Sequence, residues 1–459
     1  MINHVKFLLL AFLLLAGAAG ARADAPPDRL DWSPGGDSVS ADLHGEALWP
    51  LLKDIAHQTG WHIFVEPGID RKADVKFLNV PSGDALKKLL GDLNYAYVPQ
   101  TNQPDQLYVF ATTMRAATQP VNAAVTNKVA VARHVANELI VKVKPGTDID
   151  ALAKALGAKV IGRDDKLGIY RLQFSDAAAT DAALGELKSN PAVAAVDYNY
   201  IYDAPPAPQA IAVSTAGPVN LTLDPNTTSD PCHPIVGLID TPMQPLSPQL
   251  APFIMKPVSV TGDTIALSTA LPTHATSMAQ TILRAISQQG GTSAVKILPV
   301  DVYGNSETAT TWNVALGVQA AVNGGATVLN MSLGGTSDSA VLDSIIQQAQ
   351  VQGVVVFAAA GNQPVSTPTY PAAITGVNAV TALGAPGQLA SYANYGSFVE
   401  MALPGSSVVY LGNQAYVVQG TSPATAYATG IAAGYKGVNC DSWSQIQTLM
   451  QQKFPVPGK

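Results

Sequence analysis

The 459-residue chain has little charge: only 13% of its residues are Asp, Glu, Lys or Arg, and its formal net charge is −7. A weakly charged, net-negative chain argues against a nucleic-acid or other phosphate-bearing partner. Cysteine is scarce as well, with two residues. Beyond the N-terminus no stretch is long and apolar enough to span a bilayer, although 47% of the residues are hydrophobic. The composition therefore predicts globular domains with large cores, and the length allows two to four of them.

The N-terminus has the pattern of an export signal. Residues 1–23 contain an early lysine, an apolar run over 7–15 and a small-residue cleavage site at 21–23. This order predicts a secretory signal peptide. The alternative is a membrane anchor, for which the apolar run is short. We therefore expect an exported protein, periplasmic or extracellular.

The two cysteines, Cys232 and Cys440, flank the C-terminal part of the chain. In an oxidising compartment they could form one disulfide, which would stabilise the fold by about 4 to 5 kcal/mol in the chain-entropy model. The alternative is two unpaired buried thiols, since the sequence does not give their separation in space.

A serine near the C-terminus lies in an unusual setting. Residues 419–430 join Ser422 to a glycine turn and to a run of small residues compatible with a helix. Gly420 permits close backbone approach, and Pro423 suits the first turn of a helix. Ser422 is therefore predicted at a helix N-terminus. A serine hydroxyl becomes a useful nucleophile only beside a base that is itself oriented by a third group.

Two upstream segments offer that base and that third group. His274 precedes Met278, Ile282 and Ile286, whose helical spacing predicts that the histidine begins a helix. Asp240 follows an apolar run over 235–239, which predicts a buried strand ending on the carboxylate. The chain order is Asp, His, Ser.

Four blocks then match one family in order: residues 238–241, 274–282, 355–362 and 420–422. Residues 231–440 resemble the catalytic domain of the subtilisin-like serine proteases, the subtilases, whose triad has this chain order. The resemblance implies a triad of Asp240, His274 and Ser422, with the Asn362 side chain donating to the oxyanion. Residues 328–335 are similar to the family strand that pairs with substrate backbone. The substrate-binding residues implied by these blocks are Ser332, Leu333, Gly334, Ala359 and Gly361.

The chain departs from the usual family blocks at several positions, none of which removes a proton-transfer group or the oxyanion donor. They put specificity and rate in question more than reaction type. The departures are Pro242, Ala275, Ser277, Gln280, Pro423 and Tyr427.

Strands and helices alternate from residue 231 to the C-terminus, which predicts an α/β domain with a doubly wound parallel sheet over 231–459. In such sheets ligands bind at the carboxyl ends of the strands, where Asp240, Ser332 and Asn362 are predicted. We predict strands at 235–239, 295–300, 327–331, 354–359, 378–382 and 398–402.

Two small α+β units are predicted before this domain. Residues 38–112 resemble the short N-terminal domain of secretins and TonB-dependent receptors, which implies docking to envelope proteins and no chemistry. Residues 136–203 have the split β-α-β-β-α-β order and resemble the subtilase propeptide, which implies a folding chaperone and intramolecular inhibitor; an unrelated spacer is the alternative. Linkers are predicted at 24–36, 112–136 and 204–230, the last with the maturation site.

The sequence thus predicts a secreted or periplasmic serine endopeptidase that hydrolyses peptide bonds through an acyl-enzyme and processes its own proprotein. The main alternative is a weak or inactive subtilase-fold scaffold of the cell envelope, favoured by Pro242, Ser277 and Pro423. A third is an envelope component whose protease processes one partner. No cofactor and no metal ligands are identified, and a structural calcium, frequent in the family, is left unplaced. The predicted partners are peptide substrates and the chain's own propeptide.

Overall fold

The computed structural model describes residues 29–32, 38–66, 69, 71–99, 105–114, 117, 119–121, 133–211, 223–225, 231–290, 292–384 and 387–458. The chain divides into two compact units, residues 1–126 and 127–459. The predicted signal peptide lies outside the described residues. Within the described ranges, no helix has the length and apolar character needed to cross a membrane.

The N-terminal unit has two small sheets, with strand orders β1-β2-β4 and β5-β6-β3-β7, around one apolar core. Two of its strands lie in predicted linkers, which corrects those predictions. Arg29–Trp32 pairs with the edge of β2, and Gln119–Val121 pairs with β3, because each edge offers unpaired backbone groups. The elements are β1 Arg29–Trp32, β2 Ser38–Ala47, α1 Leu48–Thr59, β3 His62–Val65, β4 Lys72–Pro81, α2 Ser82–Leu90, β5 Asn94–Val98, β6 Gln106–Phe110 and β7 Gln119–Val121.

The second compact unit begins with a small α+β region, residues 133–203, called the middle unit below. Its element order is the β-α-β-β-α-β order predicted from the sequence. The antiparallel sheet has the order β11-β8-β10-β9. Its elements are β8 His134–Val143, α3 Ile149–Ala155, β9 Lys159–Asp164, β10 Ile169–Gln173, α4 Ala177–Ser189 and β11 Val193–Asp203.

The C-terminal domain, residues 231–458, has a seven-stranded parallel sheet of order β15-β17-β14-β19-β20-β21-β22, which confirms the predicted fold class. Apolar clusters cover both faces of the sheet. Its elements are β14 Ile235–Asp240, β15 Val258–Ser259, α5 His274–Ser287, β16 Thr292–Ser293, β17 Lys296–Asp301, β18 Thr308–Thr310, α6 Thr311–Asn323, β19 Val328–Met331, α7 Ala340–Val351, β20 Val355–Ala359, β21 Asn378–Leu383, β22 Met401–Pro404, β23 Ser406–Leu411, β24 Gln414–Gln419, α8 Thr421–Asn439 and α9 Trp443–Lys453.

Three sequence predictions for this half of the chain need correction. The strand expected at 398–402 begins at Met401. The β23–β24 hairpin, which leads into α8, was not predicted. The predicted linker over 204–230 contains strand residues: β12, Gln209–Ile211, pairs with β24, and β13, Asp224–Pro225, pairs with β16.

One disulfide joins Cys232 to Cys440, which confirms the predicted bridge. The two Cα atoms lie 5.4 Å apart, and the cysteines are separated by 208 residues of sequence. The bond joins the segment before β14 to the end of α8. The sequence between the two cysteines therefore contains every strand of the parallel sheet.

Candidate active site

The first two candidate groups form a buried pair. Asp240 ends β14 and is 2% exposed, and His274 begins α5. The His274 Nδ1 atom lies 2.9 Å from both carboxylate oxygens of Asp240. The Thr241 N–H donates to Asp240 Oδ1 at 2.7 Å. With the Nδ1 proton directed at the carboxylate, Nε2 is left as the basic nitrogen of the ring.

Local hydrogen bonds fix where α5 begins. The Thr273 side chain caps the helix by accepting from the Thr276 N–H, and Thr241 Oγ1 accepts from the Ala275 N–H at 3.0 Å. Thr241, which follows Asp240, therefore holds Ala275, which follows His274. This link joins the end of β14 to the start of α5.

Ser422 is the second residue of α8, as the sequence predicts. Gly420, just before the helix, has a φ of 141°, and a Cβ there would lie 3.0 Å from Asn362 Nδ2. Farther along α8, a Cβ on Gly430 would lie 2.5 Å from the Ile282 carbonyl oxygen of α5. Small residues thus let the helices that carry His274 and Ser422 pack closely.

The Ser422 hydroxyl donates to the Ser332 carbonyl oxygen at 3.4 Å. Within the described part of the chain it makes no hydrogen bond to the His274 ring. Because the hydroxyl hydrogen is directed at Ser332, it has to turn toward His274 before the ring can take the proton. Both residues are nearly closed to solvent, with exposed fractions of 6% for Ser422 and 7% for His274.

Asn362 is held with its amide group directed at the serine turn. Its Oδ1 accepts from the backbone N–H of Thr421 at 2.8 Å and from the Thr421 hydroxyl at 3.1 Å. The Nδ2 donor is thereby left for another acceptor. Thr421 Oγ1 also accepts from the Gly361 N–H at 3.1 Å. Thr421 was not among the predicted site residues, although its place directly before Ser422 was a signal.

The predicted substrate wall lies beside the serine. Ser332 Oγ donates to the Ser422 carbonyl at 3.3 Å and accepts from Asn330 Nδ2 at 3.0 Å. Asn330 Oδ1 in turn accepts from the Thr429 hydroxyl of α8. Leu333 and Ala359 are buried, and Gly334 is exposed. Gly361 has a φ of 105° and adjoins Asn362.

Two family models match the chain. Residues 233–455 match the Subtilase family, and residues 120–199 match the fervidolysin N-terminal prodomain. Residues 233–455 are a subtilase domain. The predicted propeptide-like region thus has a prodomain of this family as its relative, whereas the secretin and TonB resemblance of residues 38–112 stays a prediction.

Similar proteins include several subtilase-family serine proteases. A thermostable alkaline protease from Halalkalibacterium halodurans is 35% identical over 165 residues, covering 35% of this chain and 46% of that protein. A thermophilic serine proteinase from Bacillus sp. strain AK1 is 28% identical over 314 residues, or 65% of this chain and 78% of that protein. The chain spans about half the length of the alkaline protease and of the similar M-protease from Shouchella clausii.

The crystal structure of fervidolysin from Fervidobacterium pennivorans, a keratinolytic enzyme related to subtilisin, has the same fold. Its TM-score is 0.53 at 18% sequence identity, and the alignment covers 69% of this chain and 57% of that one.

Several departures from the usual family blocks have structural roles in the subtilase domain. The Gln280 side chain of α5 donates to the Tyr410 carbonyl at 2.8 Å and accepts from the Tyr410 N–H at 2.9 Å, so it pairs with β23. Ser277 Oγ donates to the Thr273 carbonyl, and Tyr427 Oη donates to Ser407 Oγ. Gln280 and Tyr427 thus bond to neighbouring elements, whereas Ser277 bonds within the first turn of α5, and none of the three contacts Asp240 or Ser422 through these bonds.

Metal ligands do not gather in the subtilase domain as far as the chain is described. No group of three His, Cys, Asp or Glu side chains is placed to hold an ion in the described ranges. A structural calcium therefore stays unplaced.

Proposed function

We propose that the chain is a serine endopeptidase that hydrolyses peptide bonds through an acyl-enzyme. The observation that carries the proposal is the buried Asp240–His274 pair, with Nδ1 2.9 Å from the carboxylate, in a domain whose α8 presents Ser422 beside the Asn362 amide. A base oriented by a carboxylate, near a serine at a helix N-terminus, has the parts required for nucleophilic acyl transfer.

In the proposed reaction, the Ser422 hydroxyl rotates away from the Ser332 carbonyl and gives its proton to His274 Nε2 while its oxygen attacks the peptide carbonyl. His274 then passes the proton to the leaving amine. Asp240 keeps the ring in the correct tautomer and stabilises the imidazolium. Water then attacks the acyl-enzyme. His274 Nε2 takes the proton of the water and gives it to the Ser422 oxygen, which leaves as the free hydroxyl.

The negative charge of the tetrahedral intermediate would be bound by two donors. One is Asn362 Nδ2; the Oδ1 atom of the same amide already accepts two hydrogen bonds from Thr421. The other is the Ser422 backbone N–H in the first turn of α8, where the helix dipole is positive. Thr421 would act through Asn362, as the residue that keeps the amide from turning its oxygen toward the charge.

The proposal includes the prodomain. We propose that the protein is made as an exported zymogen in which the middle unit inhibits the site and is separated by self-processing within 204–230. The prodomain match over 120–199 supports the zymogen. Docking of residues 38–112 to an envelope protein stays a prediction that a pull-down with the full chain would test.

The test is labelling of the purified protein with a fluorophosphonate, which reacts only with an activated serine, together with hydrolysis of a peptide substrate. Ser422→Ala should abolish labelling and lower kcat by about 10⁶-fold. Asn362→Ala should keep the fold and lower kcat by about 10²- to 10³-fold. Ser444→Ala, an exposed serine on α9, is the matched control and should label as wild type does.

Labelling that persists in Ser422→Ala would show that the wrong serine has been assigned. An Asn362→Ala variant that hydrolyses the peptide at the wild-type rate would remove the amide from the mechanism. A wild-type protein that neither labels nor cleaves after the middle unit has been separated from it would favour the inactive scaffold instead.

A further inference from the structure

The segment that leaves the middle unit is anchored on two separate edges of the subtilase domain. On the first edge, β11 pairs antiparallel with β18, and the Ala204 N–H donates to the Glu307 carbonyl at 2.7 Å. On the second edge, β12 pairs antiparallel with β24, with Gln209 opposite Val417. Residues 205–208 therefore bridge the two edges.

The second edge leads directly to the candidate nucleophile. β24 ends at Gln419, three residues before Ser422. Since the pairing is antiparallel, Gln209 lies toward the Ser422 end of β24 and Ile211 lies farther away. Continuing the register by two residues would put Ala207 opposite Gln419. The chain thus leaves the region of the serine along β24.

The first edge borders the other side of the same site. Tyr202 is 1% exposed, and a Cβ on Gly335 would lie 3.4 Å from its ring. Gly335 follows Ser332 by three residues, and the Ser332 carbonyl accepts from the Ser422 hydroxyl. The segment between Tyr202 and Gln209 therefore begins beside the residues that follow Ser332 and ends on the strand that leads into Ser422.

This crossing segment has an unusual composition. Residues 204–209 read Ala-Pro-Pro-Ala-Pro-Gln. Each of its five peptide bonds has a proline on at least one side. Where proline lies on the amino side of a peptide bond, it has no backbone N–H and cannot donate a hydrogen bond to a carbonyl such as that of Ser332. A bond on the amino side of proline is a tertiary amide, whose ring carbon crowds the nitrogen that must accept the proton from His274.

We propose that residues 204–209, the proline strap, lie across the catalytic groups as a substrate mimic that the enzyme does not cut. Anchored at both ends, the strap keeps Ser422 and His274 covered, and the cut that matures the chain falls outside these five bonds. The inference rests on the proposed endopeptidase function, which it deepens by assigning how the site is kept closed.

The test compares two strap variants of the full chain that differ in which bonds lose their prolines. Pro205→Ala/Pro206→Ala frees the three bonds from Ala204 to Ala207, which the register places nearest Ser422. Pro208→Ala frees only the two bonds that follow. Each is made with and without Ser422→Ala. New N-termini are read by sequencing and intact mass, and access to the serine by the rate of fluorophosphonate labelling.

We expect no new N-terminus within 205–209 in the wild type. The double variant should be cut within 204–207, only when Ser422 is present, and its serine should label at least about tenfold faster than in the wild type. Pro208→Ala should stay uncut within the strap and label at the wild-type rate.

A wild-type chain cut within the strap would overturn the proposal while leaving the endopeptidase function intact. So would a double variant that labels but stays uncut, since the prolines would then not be what protects the bonds. Cleavage in Pro208→Ala, but not in the double variant, would overturn the register. If no variant is cut and none labels, the endopeptidase function itself fails.

Discussion

The middle unit and the subtilase domain bury their apolar surface in different ways. Both faces of the parallel sheet in the subtilase domain are covered by helices of the same domain. In the middle unit, Leu139 and Leu172 pack under its own helices, but Ile140 and Ile169 belong to the apolar cluster of the subtilase domain. The subtilase domain thus completes its own core, whereas the middle unit shares part of its apolar surface with the domain against which it packs.

The difference indicates how the two regions depend on each other. A middle unit released into water would expose the apolar face that contains Ile140 and Ile169. This exposure would cost a free energy of about 25 cal/mol per Å² of apolar surface. Its stability is therefore tied to docking. The subtilase domain instead has its Cys232–Cys440 bond, which closes a loop around the sheet. The predictions below test this contrast, in the inactive Ser422→Ala background so that self-cleavage does not interfere.

The largest expected effect is on the subtilase domain. Replacing both Cys232 and Cys440 by serine should lower its free energy of unfolding by about 5 kcal/mol, because a loop of this length costs that much entropy to close in the chain-entropy model. Urea unfolding measures the loss, and the double replacement avoids a reactive single thiol. A loss below about 1 kcal/mol would mean that the disulfide contributes little to the stability of the domain, and it would contradict this part of the comparison.

The second prediction concerns the anchor of the middle unit. Tyr202→Ala should weaken docking by about 3 to 4 kcal/mol, since it empties a fully buried aromatic site at the contact with Gly335. Trp312, which packs on the middle unit next to Gly162, reports undocking through its fluorescence.

The matched control for this anchor is Tyr200→Ala, two residues earlier on β11 and only partly buried. It should cost clearly less. Equal losses for the two tyrosines would show that strand pairing, and not the buried ring, holds the segment.

Much of the fold was predictable because its signals are local. Apolar runs predict the strands that end on Asp240 and Ala359, and helical spacing predicts α5 behind His274. Asp240, His274, Asn362 and Ser422 lie at or next to the ends of such elements, so their approximate placement followed from the sheet. The end of a strand and the start of a helix are properties of a few consecutive residues.

The parts that sequence analysis missed depend on contacts between distant segments. Thr421 orients Asn362 across 59 residues of sequence, and Gln280 pairs with Tyr410 across 130. The predicted 204–230 linker looked exposed because of its prolines, yet the Ala204 N–H donates to the Glu307 carbonyl and residues 209–211 pair with β24. No local pattern encodes which edge a short polar or proline-rich segment will meet.

The third prediction uses the pH dependence of docking. Burial raises the pKa of Asp197 to about 6, against the opposing hydrogen bonds from the Val341 N–H and the Ser339 hydroxyl. Lys188 lowers this pKa and Asp338 raises it, by smaller amounts. In the undocked chain the pKa returns to near its ordinary value of about 3.9. The docked state then binds the proton more tightly.

Docking is strongest when Asp197 is protonated, weakens as the pH rises from about 4 to about 6, and is constant above that, by about 2 to 3 kcal/mol in total. Asp197→Asn keeps an acceptor oxygen without the charge, so it should flatten this profile and dock more tightly than wild type at pH 7. Urea midpoints followed by Trp312 fluorescence between pH 4 and 8 measure it, and a variant with the wild-type slope would contradict the assignment.

The smallest expected effect is at the second polar contact, from the Lys142 Nζ to the Ser344 hydroxyl at 2.7 Å. Burial lowers the pKa of Lys142, so the charged form gains little from this site. Lys142→Met replaces the side chain by an apolar one of similar length and leaves Ser344, which is only half-buried, free to bond water. Docking should therefore change by less than about 1 kcal/mol. A double-mutant cycle with Ser344→Ala isolates the pair, and a coupling above about 2 kcal/mol would mean that polar contacts, not the shared apolar surface, hold the middle unit in place.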